Sequence, residues 1–380
     1  MADPAQELAD LRQAGLLRSL RPLEGATGVR IVRDGRELWN FASNDYLGLA
    51  AHPTLRAAFH EGLDRWGHGA AASRLITGSL PPHTALEETL AAAKGTGAAL
   101  SFSSGFAAAT GIIPALVGRD DHVILDKLAH ACLIDGARLS GASLRVFPHN
   151  DIGKLRRLLE TIRGKDATGR ILIVTESVFS MDGDLCPLRE ILDLKDEFGA
   201  HLLLDEAHGL GVLGSTGMGL AEELGEQERV DFHMGTLGKA AGLAGAYVAC
   251  PPVWRDLLVN RARSFIFSTA PPPALAHAAV AAIELIRSAE GRSLRQRLRE
   301  NIELLSPDGR TPILPHIIGE NEAALAASAR LEAQGFLVPA IRFPTVPRGT
   351  ARLRISLSAV HPPAAIQALA GHLSVEQEIS

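Results

Sequence analysis

From about residue 55 onward, short β-rich runs alternate with helical segments: AALSF, HVILD, SLRVF, ILIVTE, HLLLDE and AGAYVAC, separated by stretches of Ala, Leu, Arg and Glu. Apolar strands punctuated by helices are the pattern of a mostly parallel sheet covered by helices, so the predicted class is α/β. After PPPALAHAAVAAIELIRSAEG the pattern changes to long helices and separated strands, among them PILPHIIG, GFLVPAIR and ARLRISLS. A boundary is expected near 280, giving a large domain over 46–280 and a smaller α+β domain over 281–380. At the other end Leu8, Leu11, Leu16 and Leu17 fall near helical spacing before RPLEGATG breaks the pattern, which predicts an N-terminal helix and arm over 1–45. A chain of 380 residues is too long for one ordinary core, in keeping with that division.

Composition narrows the partners. The 46% hydrophobic and 21% charged residues are the balance of a globular protein. A net charge of -5, with Lys and Arg scattered, provides no cationic field for nucleic acid or anionic lipid. Cys132, Cys186 and Cys250 are far apart and lack CxxC spacing, so neither a disulfide framework nor a metal site is expected, and a reducing cytoplasm fits. The opening MADPAQELADLRQAGLLRSL carries Asp3, Glu7 and Asp10, and no targeting segment is expected there. The most apolar stretches, around 97–118 and 270–286, are interrupted before reaching the ~20 residues that span a bilayer, so no membrane association is expected.

Two motif matches are misleading. HLLLDEAH resembles the magnesium-binding strand of an ATPase, but no GxxxxGK[ST] loop precedes it. GLGVLG satisfies GxGxxG, yet it starts four residues beyond Asp205 and not at a strand-to-helix turn; its glycines read as a permissive backbone near a ligand or subunit contact.

Open α/β sheets bind ligands at the carboxyl ends of their strands, and there the chain places Ser103, Asp126, Glu176 and Asp205. Lys239, in TLGKA, lies in a Gly-rich loop whose apolar surroundings favour the neutral, nucleophilic amine needed for a Schiff base. Asp205 ends an apolar run, where a bare carboxylate is costly, so it needs a cationic partner. A protonated pyridine nitrogen would be one, and keeping it protonated makes pyridoxal phosphate (PLP) an electron sink; a helix cap at DEAH is the plainer alternative. His208 could reach the phenolic oxygen of such a cofactor or simply pack in its loop. SFSSGFAAATG runs from strand into helix and presents N–H groups to a phosphate at Gly105 and Phe106, with Thr236 and Thr269 as further contacts. His130 follows HVILD and is a candidate to stack on a cofactor ring and polarise a carbonyl, although a structural role is open too. Arg354, with Arg352 and Ser356 on its side of a predicted strand, could hold a carboxylate or face solvent.

The segments FASNDYLGL, SSGFAA, AHACLIDGA, TESVFSMDGD, LLLDEAHGLGVLG, TLGKA and PTVPRGTARLRISLSAVH resemble, in order, the α-oxoamine synthases. The resemblance implies the aspartate-aminotransferase-like fold (fold type I), PLP as cofactor, and a homodimer with shared active sites. It implies that Lys239 forms the covalent link to PLP, that Asp205 pairs with the pyridinium, that His208 bonds the phenolic oxygen and that His130 stacks over the ring. It also assigns Gly105, Phe106 and Thr236 to the phosphate, Ser180 to the side of the cofactor, Arg354 with Asn44 to the amino-acid carboxylate, and Arg18 with Thr345 to the acyl substrate. Through AIRFPTVPRGTARLRISL the chain is most similar to the members that join L-alanine to pimeloyl-CoA or pimeloyl-acyl-carrier protein in biotin formation. Sister enzymes that use glycine or another acyl-CoA are the alternative. Where such members often read IRPPTVP, this chain has Phe343.

Overall fold

The computed structural model describes residues 3–166 and 168–379. Contacts divide the chain into two compact units, one of Leu47–Ser180 with Asp184–Gln296, the other of the residues up to Tyr46, Met181–Gly183 and the chain from Arg297 onward. The expected boundary near 280 falls inside the helix Pro273–Arg287.

Thirteen strands are named here in chain order: β1 (Arg30–Arg33), β2 (Arg36–Asn40), β3 (Ala98–Phe102), β4 (His122–Asp126), β5 (Ser143–Phe147), β6 (Ile171–Glu176), β7 (His201–Asp205), β8 (Phe232–Thr236), β9 (Ala246–Cys250), β10 (Ile313–Gly319), β11 (Phe336–Leu337), β12 (Ala340–Ile341) and β13 (Ala351–Ser356). The first unit carries a seven-stranded sheet in the order β3-β9-β8-β7-β6-β4-β5. β9 alone is reversed relative to the other six strands. The carboxyl ends of the other six therefore lie along one edge, so Asp126, Glu176, Asp205 and Thr236 share it.

Side chains alternate across this sheet with period two. Val123 and Leu125, Leu172 and Val174, Phe232 and Met234, and Ala246, Val248 and Cys250 enter one core with Ile112 and Ile113 of the helix Gly105–Leu116. The intervening Ile124, Ile173, Leu202 and Leu204 are equally buried, so the sheet is covered on both faces, as parallel sheets are. Each such aliphatic side chain contributes about 1.5–3 kcal/mol. Polar groups concentrated at one edge are tolerated against that background.

The six runs recognised as strands correspond to β3, β4, β5, β6, β7 and β9. The seventh strand, β8, was not anticipated. Its sequence FHMGT holds His233 and Gly235, which disguise as loop an interior strand whose first four residues are buried. His233 is accommodated because its Nε2 bonds Gln227 O at 3.0 Å and its Nδ1 lies 3.5 Å from Glu206.

The second unit carries two three-stranded sheets, β1-β2-β11 and β10-β13-β12. Every residue of β13 is buried, including Arg352 and Arg354, so this strand presents no solvated face. Arg352 instead bonds Asp182 at 2.5 Å. The N-terminal helix runs Pro4–Gln13, started by the Asp3 side chain, and buries none of its residues. Among the described residues no helix is long and apolar enough to cross a membrane.

Candidate active site

The strand edge assembles the chemistry. The loop after β8 turns back on itself, with Leu237 N bonded to Gly245 O and Gly242 N to Lys239 O. Gly242 adopts φ +69°, and a Cβ there would sit 2.4 Å from Leu49 C, so only glycine lets the loop close this tightly. Beneath it lies the GLGVLG segment: a Cβ on Gly211 (φ +76°) would meet Ala240 Cβ at 2.5 Å. That glycine match therefore shapes the lysine loop, the permissive role expected of it.

Half-buried Lys239 places Nζ 2.7 Å from Nε2 of buried His208. His208 follows Asp205, which ends β7 in register with Glu176 of β6. Burial pushes the Asp205 carboxyl up, while Lys239, the Ala207 N–H at 2.9 Å and His130 oppose that push. Burial and the nearby Asp205 charge push Glu176 up as well. Glu176 accepts the His130 backbone N–H at 2.5 Å, fixing the start of the helix Ala131–Ser140. Burial, then the Lys239 charge, lowers the His130 pKa, which keeps its imidazole neutral near pH 7.

The residue after Asp205 is pinned from below. Glu206 accepts from Lys94 Nζ at 2.5 Å and from Ala221 N at 3.2 Å, all within the core. Burial opposes the Glu206 charge, but Lys94 and then His233 outweigh it and hold the carboxyl down at about 2. Nothing in the sequence pattern marks this pair, because Lys94 ends the helix Pro81–Lys94 and its partner lies far along the chain.

Across the edge, Ser104 caps the helix Gly105–Leu116 through the Ala107 N–H at 3.1 Å. Gly105 and Phe106 open that helix, where N–H groups have no intrahelical acceptor. A Cβ on Gly105 would approach Thr236 Cγ2 at 2.8 Å, so Thr236 sits directly against this helix start. Thr236 Oγ1 is buried and has no hydrogen-bond partner. N–H groups beside an unpaired hydroxyl fit a phosphate, and a buried carboxylate facing a lysine fits a cationic ring. The donor set thus suits PLP. Ser180 is buried in the same unit, whereas Thr269 pairs with Ser73 in an isolated bridge.

The remaining expected residues belong to the other unit. Buried Arg354 donates Nη1 to Asn44 Oδ1 at 3.1 Å and to Ser356 Oγ at 2.7 Å. Arg354 and Asn44, both assigned to the amino-acid carboxylate by the resemblance, are thus in hydrogen-bond contact. Arg18 and Thr345 line one cleft of about 220 Å³ with Leu16, Arg342 and Phe343. The guanidinium of Arg348 lies over the Phe343 ring at 4.0 Å, a use for the aromatic side chain at this position.

A seven-stranded, mostly parallel sheet whose carboxyl edge carries a lysine, a buried aspartate and the start of the helix Gly105–Leu116 is the architecture of a fold type I PLP enzyme. The chain belongs to the class I and II aminotransferase family, whose model matches residues 36–373. Within that family it is 51% identical to the 8-amino-7-oxononanoate synthase of Geobacter sulfurreducens, over 94% of this chain and 93% of that protein. It is 50% identical to the 8-amino-7-oxononanoate synthase of Anaeromyxobacter dehalogenans, over 93% of this chain and 90% of that one. Among solved structures, serine palmitoyltransferase from S. paucimobilis with a bound PLP–myriocin aldimine matches at a TM-score of 0.92 and 29% identity, covering 99% of this chain and 96% of that chain. The 8-amino-7-oxononanoate synthase of Francisella tularensis matches at 0.76 and 27%, covering 90% and 98%.

Proposed function

We propose that this chain is a PLP-dependent 8-amino-7-oxononanoate synthase, condensing L-alanine with a pimeloyl thioester to give the amino ketone, carbon dioxide and free thiol in biotin formation. The observation that carries the chemistry is the Lys239–His208 contact beside buried Asp205 at the carboxyl edge of the sheet. Near-full-length identity to synthases of that name supports the substrate pair over glycine-using relatives.

When bound, PLP supplies an electron sink for the pair of electrons released at the α-carbon of alanine. Lys239 would anchor the cofactor covalently and, with its amine free, would be the base that takes the α-proton. Asp205 would hold the proton on the ring nitrogen, and His208 would bond the phenolic oxygen. Gly105, Phe106 and Thr236 would hold the phosphate, with Ser180 at the side of the cofactor. Arg354, oriented by Asn44 and Ser356, takes the alanine carboxylate, and Arg18 with Thr345 receives the acyl chain. His130 donates a hydrogen bond to the thioester oxygen as it gains charge, a contact commonly worth about 3–4 kcal/mol. The α-carbon bonds to the acyl carbon as the thiolate leaves and takes up a proton, the carboxylate departs as carbon dioxide, and one proton returns to the α-carbon. A homodimer with shared active sites in the cytoplasm completes this reading, in keeping with three free, buried cysteines.

The test is turnover of purified holoenzyme with L-alanine or glycine against pimeloyl, succinyl, acetyl and long-chain acyl thioesters. Amino-ketone formation only from alanine and the pimeloyl thioester is the expected result; preference for glycine or another acyl group would move the assignment to a sister enzyme. A second expectation concerns Arg354→Lys. The substitution keeps the charge but loses the planar fork, so KM for alanine should rise by roughly 10- to 100-fold with little change in KM for the thioester. Equal effects on both substrates would remove Arg354 from the carboxylate.

A further inference from the structure

His130 caps the helix that follows it, and its ring is oriented by a residue outside the assigned machinery. Nδ1 accepts the backbone N–H of Cys132 at 3.3 Å and lies 3.0 Å from Cys132 Sγ. The backbone N–H can only donate, so Nδ1 is an acceptor and a neutral imidazole then carries its single proton on Nε2; the thiol lies against the same nitrogen, where it too can donate. Nε2 makes no hydrogen bond among the described residues.

We propose that Cys132 is a positioning residue which, through its thiol, holds His130 in the Nε2–H tautomer, so that the ring presents a donor and not a lone pair to the oxygen that gains charge. The inference rests on the reading of His130 as that donor. The opposite tautomer would set a lone pair against the developing oxyanion and forfeit the contact. Two further features agree with a thiol acting as donor. Burial, with Asp205 and Glu176 nearby, pushes the Cys132 thiol up to about 12, so it keeps its proton across the physiological range. Depression of the His130 pKa by burial and Lys239 keeps the ring neutral, the only state in which a choice of tautomer exists.

Cys132 also lies in the apolar core of its unit, so a packing role must be separated from a tautomer role. The two roles rank the same substitutions in opposite order. A packing residue tolerates Cys132→Ala better than Cys132→Ser, which places a hydroxyl in the core; a donor tolerates Ser better than Ala.

The experiment compares holoenzyme of wild type, Cys132→Ser and Cys132→Ala by 15N spectra of labelled histidine, with His130→Gln identifying the His130 signals, and by kinetics with both substrates. Wild type and Cys132→Ser should show His130 protonated at Nε2. Cys132→Ala should show a growing Nδ1–H population and a kcat lowered by about fivefold, the factor of one ordinary hydrogen bond, with KM for alanine unchanged. The loss is partial because the backbone donor remains. Identical His130 signals in wild type and Cys132→Ala would overturn the proposal, as would an alanine variant at least as active as the serine variant. Absence of condensation in the wild type would instead sink the functional reading, and the spectra alone would then decide the tautomer.

Discussion

Lys239→Ala should abolish synthase activity, lowering kcat/KM by on the order of 10⁴-fold, because one side chain serves as both covalent anchor and proton acceptor. The purified protein should also lose the visible absorption of the lysine-bound cofactor. Lys239→Arg is the sharper control. It keeps a cation facing Asp205, yet a guanidinium is neither a usable nucleophile nor a base near neutral pH. If charge alone mattered, the arginine variant would be active; the covalent role requires it to be as inactive as the alanine variant. The fold should survive both changes, since Lys239 is half-buried and sits in a loop closed by backbone bonds and glycines independent of its side chain. A variant that remained coloured and active would remove Lys239 from the chemistry.

What could be read from the sequence followed from where apolar burial is unmixed. β4, β6 and β7 are runs of Val, Ile and Leu that end in Asp126, Glu176 and Asp205, so both the strands and the edge carrying the carboxylates were visible. β8 was hidden because its burial depends on a histidine paired through the fold with Glu206, a contact that hydropathy cannot register. The same limit hid the Lys94–Glu206 pair and the Cys132–His130 contact. In each case a polar or weakly polar side chain is explained by a partner rather than by its own position in a pattern. Arg354 shows the converse. Its alternation with Arg352 and Ser356 suggested a polar face equally compatible with solvent, and only the closed environment of β13 distinguishes a held guanidinium from a wet one.

Asp205→Asn should lower turnover by about 10³-fold, whereas Glu176→Gln, one strand away and in register, should remain within about threefold of wild type. The contrast arises from how two buried acids share charge. Burial raises both carboxyls, and they cannot both ionise cheaply side by side. Asp205 has Lys239, the Ala207 N–H and His130 to favour its charged form, while the charge of Asp205 itself adds to the push on Glu176. These contacts favour charge on Asp205 over Glu176, and an amide at Glu176 has the shape of the neutral acid and still accepts the His130 backbone N–H. At Asp205 the amide replaces an anion. A buried cationic ring nitrogen would then lose its counter-charge, a cost of about 3–5 kcal/mol that corresponds to a factor of a few hundred to a few thousand. Cofactor affinity, measured by titrating PLP into the apoenzyme, should weaken along with turnover in Asp205→Asn and stay unchanged in Glu176→Gln. The opposite ranking, with Glu176→Gln inactive and Asp205→Asn tolerated, would place the working charge on β6 instead of β7.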